Sequence, residues 1–63
     1  MIEGFTPRQR EIALLVRDGL SNDEVAARLG VAPATVKKHL EHIYAATGVR
    51  TRGELGRLIN SER

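Results

Sequence analysis

Three times in this chain a hydroxyl side chain is followed, three residues on, by Gln or Glu: Thr6-Pro7-Arg8-Gln9, Ser21-Asn22-Asp23-Glu24 and Thr51-Arg52-Gly53-Glu54. A hydroxyl at an N-cap accepts a hydrogen bond from the third helical N–H. The acid or amide at that position can reach back to the cap's own N–H, so each tetrapeptide opens a helix. Pro7 strengthens the first signal, because proline at the first helical position gives up an N–H that has no partner there anyway. A fourth opening lies in Val31-Ala32-Pro33, where Pro33 cannot continue a helix from behind but fits the first turn of a new one. Stops alternate with these starts at Asp18-Gly19, Gly30 and Gly48, glycine being the residue that most readily takes the left-handed conformation ending a helix. The punctuation predicts a helix from Pro7, a short one from about Asn22 to Leu29, a third from Pro33 to about Thr47, and a fourth over about 52–60. No alternating β-branched or aromatic run competes with helix, and the chain has one Phe and one Tyr. The expected fold is all-α, a compact four-helix domain over residues 1–63.

Apolar positions recur at helical spacing within these boundaries: Ile12, Leu15 and Val16 in the first helix, Val25, Ala26 and Leu29 in the second, Leu55, Leu58 and Ile59 in the fourth. At 63 residues the chain is near the lower limit for a single self-supporting core. It has no Cys, so disulfides and thiolate metal sites are unavailable and an intracellular setting is expected. The longest apolar run, Ile12 to Val16, is far short of a membrane span or signal-peptide core, so a soluble cytoplasmic protein is expected. Gly53 and Gly56 each weaken the fourth helix by about 1 kcal/mol relative to Ala, so that helix needs packing partners.

The most informative unit runs from Asn22 to Glu41: a short helix, a glycine turn and a longer helix, the layout of a helix-turn-helix. Ala26 is small where two helices must cross closely, Gly30 permits the positive φ of the turn, and Val36 reaches back into the core. At 100° per residue the third helix puts Val36, Leu40, Ile43 and Thr47 on one face with Tyr44 at its edge. The opposite face holds Ala34, Lys38, Glu41 and Ala45, flanked by Thr35, Lys37 and His42. That face carries no large apolar residue and could approach the floor of a major groove, although a solvated helix surface has the same composition. Ten Lys and Arg against eight Asp and Glu give a formal charge of only +2, so the distribution of charge carries more information than its sum. Acids gather early, at Glu11, Asp18, Asp23 and Glu24; beyond Val36 the bases Lys37, Lys38, Arg50, Arg52 and Arg57 lead.

From Phe5 to about Ile59 the chain resembles the DNA-binding domain of LuxR-type (GerE-like) transcription regulators, the group that also ends many two-component response regulators. The resemblance rests on Thr6-Pro7-Arg8-Gln9-Arg10-Glu11-Ile12, on Gly19-Leu20-Ser21-Asn22 followed by Glu24-Val25-Ala26, on Thr35-Val36-Lys37 with His39-Leu40 and Ile43, and on Gly48-Val49 with Arg52. It implies a third helix that enters the major groove of double-stranded DNA and a fourth that forms a two-fold dimer contact. By position, Lys37, Lys38 and Glu41 would face base edges. Ser21, Asn22, Thr35, His42, Arg50 and Arg52 would lie near the sugar-phosphate backbone. Three residues depart from the family pattern: Asp23 stands where Lys is common, Glu41 puts a carboxylate in the groove, and Ala32 replaces the usual capping Ser.

Gly53 and Gly56, with Asn60 one turn on and Arg57 beside them, form a small-residue stripe that would let two copies cross closely in a dimer on two half-sites. A weak, frayed helix would show the same glycines, and the residues alone do not choose. Arg50-Thr51-Arg52 reads either as a solvated loop or as a phosphate contact, since bases at a helix start oppose its dipole. His39 and His42 are three apart, but no Cys or paired carboxylate completes a set, so no metal is expected. Ser21 and Thr6 read as caps, with no base to make either a nucleophile, and no phosphate loop or catalytic signature is present; neither enzymatic activity nor a cofactor is expected. The leading reading is sequence-specific DNA binding in transcription regulation. The alternative is a protein-interaction module on the same scaffold that contacts RNA polymerase or another regulator, favoured by Asp23, Glu41 and the low net charge.

Overall fold

The computed structural model describes residues 4–61. Its elements are α1 (Pro7–Arg17), α2 (Asn22–Leu29), α3 (Pro33–Thr47) and α4 (Arg52–Ser61), with no strand among the described residues. These boundaries coincide with the punctuation. Thr6 Oγ1 accepts from the Gln9 N–H at 3.1 Å while Gln9 Oε1 accepts from the Thr6 N–H at 3.0 Å. Ser21 and Glu24 make the same reciprocal pair, at 3.2 and 2.8 Å. The third box differs from the expected form. Thr51 Oγ1 accepts from the Glu54 N–H at 3.1 Å, but the Glu54 carboxylate passes over the cap and accepts from the Arg50 N–H at 2.7 Å. Glu54 thereby fixes the loop into α4 rather than only its first turn.

The helix ends are closed by backbone geometry. After α1, Gly19 takes φ +94 and donates to the Val16 carbonyl, while Leu20 donates to that of Leu15; these two bonds satisfy carbonyls that helix termination would orphan. Gly30, at φ +72 and ψ 33, makes the turn between α2 and α3, and both it and Val31 donate to the Ala26 carbonyl. α3 alone among the four starts lacks a side-chain cap: Ala32 is extended there, at φ −76 and ψ 148, and has no oxygen to offer.

Each helix contributes to one core: Ile12, Ala13 and Val16 from α1, Val25 and Ala26 from α2, Val36, Leu40 and Ile43 from α3, Leu55 and Ile59 from α4. No polar or charged side chain is buried among the described residues, so the core is held by apolar burial. Leu29, Leu58 and Thr47, expected on buried faces, are only partly covered; the Thr47 hydroxyl donates to the Ile43 carbonyl at 2.9 Å. Ala13, not singled out from the sequence, is fully buried. α1 is the hub. It packs against all three other helices, most extensively against α4, while α2 and α3 pair with one another. That arrangement leaves one long side of α3 without a neighbour among the described residues.

Candidate nucleic-acid interface

The heptad-like row Val36, Leu40 and Ile43 anchors α3 with 0 to 4% of its surface exposed, which fixes the rotation of the helix about its axis. Ala34, Thr35, Lys37, Lys38, Glu41, His42 and Ala45 are consequently turned outward, and all are exposed. His39 is half-buried at the boundary between the faces. Ion pairs among the described residues occur only within and just past α1, at Arg8–Glu11 (3.5 Å) and Arg17–Asp18 (3.2 Å). Lys37, Lys38 and Glu41 therefore keep their charges unpaired within the described part of the chain. Such a surface can donate to guanine O6 or N7 through lysine and accept from cytosine N4 through Glu41.

The start of α2 lies at the other end of the helix-turn-helix unit. Ser21 is exposed, with its hydroxyl engaged as a cap, and Asp23 is exposed beside it. Asn22 is half-buried, and its Oδ1 accepts from Arg52 Nη1 at 2.7 Å; Arg52 Nη2 also donates to the Leu20 carbonyl. The structure thus brings together two residues expected near phosphate, but as partners of one another. A base at the start of α4 opposes the helix dipole, and two internal acceptors account for it. The dipole conflict was legible in the sequence; the identity of the acceptors was not. Arg50, by contrast, is exposed and projects from the loop ahead of α4.

Gly53, Gly56, Arg57 and Asn60 line one shallow groove with Val16 and Arg17, where the end of α1 meets α4. A Cβ on Gly56 would stand 3.7 Å from the Arg17 Cα and 3.8 Å from its Cγ, ordinary contact distances, whereas one on Gly53 would meet only Thr51 Oγ1 at 3.9 Å. Gly56 therefore faces Arg17 of α1, a proximity that sequence reasoning missed, but a Cβ would fit there and the packing of α4 on α1 does not itself require glycine. Among the described residues no group of three His, Asp or Glu side chains is placed to hold a metal ion, and no helix is long and apolar enough to cross a membrane.

The sequence pattern described as "Bacterial regulatory proteins, luxR family" matches residues 3–59. A protein described as an HTH-type transcriptional regulator of Mycobacterium bovis is 48% identical over 51 residues, covering 81% of this chain and 6% of that protein. The monoamine regulon transcriptional regulator of Klebsiella aerogenes is 46% identical over 51 residues, 81% of this chain and 22% of that protein. The nitrate/nitrite response regulator protein NarL of Escherichia coli is 34% identical over 62 residues, which is 98% of this chain and 29% of NarL. The chain thus spans 6 to 29% of the length of these relatives. Its four helices, its helix-turn-helix unit and a match over nearly its whole length agree: the chain is a helix-turn-helix domain of the luxR family of bacterial regulatory proteins.

Proposed function

We propose that this domain binds double-stranded DNA sequence-specifically in transcription regulation, with α3 in the major groove. The observation that carries the reading is the outward face of α3, exposed along its length, free of large apolar side chains, and bearing lysines unpaired within the described residues. Lys37, Lys38 and Glu41 meet base edges in this reading. Thr35, His42, Ser21, Asn22 and Arg50 lie along the sugar-phosphate backbone. Two copies pair through α4, using the groove of Gly53, Gly56, Arg57 and Asn60, and so read two half-sites. The names of the relatives, a response regulator among them, and the small fraction of each that the chain spans support a role as the output domain of a longer cytoplasmic regulator.

A second reading, a protein-interaction module on the same scaffold contacting RNA polymerase or another regulator, draws on Asp23 and Glu41, both exposed, and on the low net charge. Salt separates the two. DNA affinity measured by fluorescence anisotropy must fall linearly on a log-log plot as salt rises, with a slope of about 0.9 per phosphate contacted. Lys37→Ala should cost about 1–3 kcal/mol of discrimination at one base pair. Affinity for DNA that is absent at low salt would remove the first reading and leave the second. The dimer is tested by Gly53→Leu, at a position where an added Cβ would meet only Thr51 Oγ1 at 3.9 Å: loss of two-to-one complexes on a paired half-site duplex is expected, and unchanged stoichiometry would count against pairing through α4.

A further inference from the structure

Arg52 makes the only long-range side-chain hydrogen bonds among the described residues, reaching 30 residues back to Asn22 and 32 back to Leu20. The other side-chain hydrogen bonds there span four residues or fewer. Two consequences follow from the chemistry of the partners. A guanidinium has donors and no acceptor, so the Asn22 atom facing it must be Oδ1, and the Asn22 amide nitrogen is turned away. That nitrogen has no acceptor among the described residues, yet no buried side-chain polar atom there lacks a partner, so its N–H groups reach solvent. The fork also spans two points, the last carbonyl before the cap and the first residue of α2, which holds the direction of that first turn rather than a single atom.

We propose that Arg52 is a positioning residue for DNA binding and not itself a phosphate ligand: by gripping Leu20 and Asn22 it holds the start of α2, with the Asn22 amide outward, for a backbone phosphate. The inference rests on the DNA-binding reading above. It makes α4 part of the DNA-contacting apparatus, because a shift of α4 relative to α1 would carry Arg52 with it and release the start of α2.

The test compares Arg52→Lys, Arg52→Gln, Asn22→Ala and the Arg52→Gln/Asn22→Ala double variant by anisotropy on a mixed-sequence duplex over a salt series, with melting curves to choose a temperature at which every variant is folded. Lysine keeps the charge but cannot form the fork. A positioning role requires that both Arg52 variants weaken binding by about tenfold, the order of one hydrogen bond to a charged group, with the salt slope unchanged. It also requires that Arg52→Gln add little in the Asn22→Ala background. Near-normal binding by Arg52→Lys, with a slope lowered by about 0.9 in Arg52→Gln, would make Arg52 a direct ligand and overturn the proposal. Lower melting temperatures with unchanged affinity would overturn it too, leaving Arg52 a stabilising contact only. Should Arg52→Gln fail to fold, Arg52→Lys and Asn22→Ala decide on the same criteria. Failure of the wild-type chain to bind overturns the DNA reading and this role with it, whereas normal binding by every variant overturns this role alone.

Discussion

Restoring a cap to α3 offers a test in which the molecule contains its own control. Ala32 and Thr6 both precede a proline at the first helical position, and their backbones nearly superpose, at φ −76 and ψ 148 against φ −68 and ψ 160. At Thr6 the hydroxyl accepts from the N–H three residues on; at Ala32 the corresponding donor, Thr35 N–H, has only the Ala32 carbonyl at 3.0 Å. Ala32→Ser adds one oxygen to an exposed side chain whose Cβ is already in place, so no packing must change. Capping substitutions of this kind are worth about 0.5–2 kcal/mol. Thr35 cannot return the bond as Gln9 does, which leaves the reciprocal half of the box unmade, so a gain of about 1 kcal/mol is expected. For a domain of this size that raises the melting temperature by about 4–8 °C, measured by circular dichroism at 222 nm. Ala32→Val, with the same flanking sequence and no oxygen, should show no such gain, since valine is as poor an N-cap as alanine. A melting temperature for Ala32→Ser equal to or below wild type would refute the reasoning, since it would mean that the start of α3 does not need the acceptor its geometry lacks.

Two other substitutions probe the core and the proposed interface. Ile43 is fully buried, so Ile43→Ala should cost about 2–5 kcal/mol by urea denaturation, against a total stability of about 3–9 kcal/mol for a chain of this length; a loss under 1 kcal/mol would contradict its place in the core. Asp23 is exposed in the first turn of α2, where DNA binding would bring it near phosphate. Asp23→Lys should tighten DNA binding and steepen the salt slope, and weaker binding would place the phosphate elsewhere.

The boundaries of all four helices and the outward face of α3 were legible in the sequence because each is set within a few residues. Capping residues, glycine stops and a helical row of Val36, Leu40 and Ile43 act over a turn or two, so their chemistry is written next to their effect. What could not be read is what happens between segments far apart in the chain. Arg52 looked like a free base because nothing near it in sequence can receive it; its acceptors come from the end of the α1–α2 turn, brought close by the packing of α4 on α1. Gly56 looked like part of a small-residue stripe, and its closeness to Arg17 depends on the angle at which α4 crosses α1, which no local pattern encodes. The same limit explains Glu54, whose carboxylate prefers the Arg50 N–H to the one a capping box would give it. Of the candidate interface, then, sequence could mark the residues on the outward face of α3, while the hydrogen bonds from Arg52 to Leu20 and Asn22 required the tertiary structure.

Titration of the isotope-labelled domain with a mixed-sequence duplex, followed by amide NMR at low and then moderate salt, addresses the DNA-binding reading directly. We expect shifts concentrated at residues 34–42 and 21–23 that fade as salt rises. An unchanged spectrum at low salt, or shifts confined to α1 with α3 untouched, would contradict DNA binding through the outward face of α3.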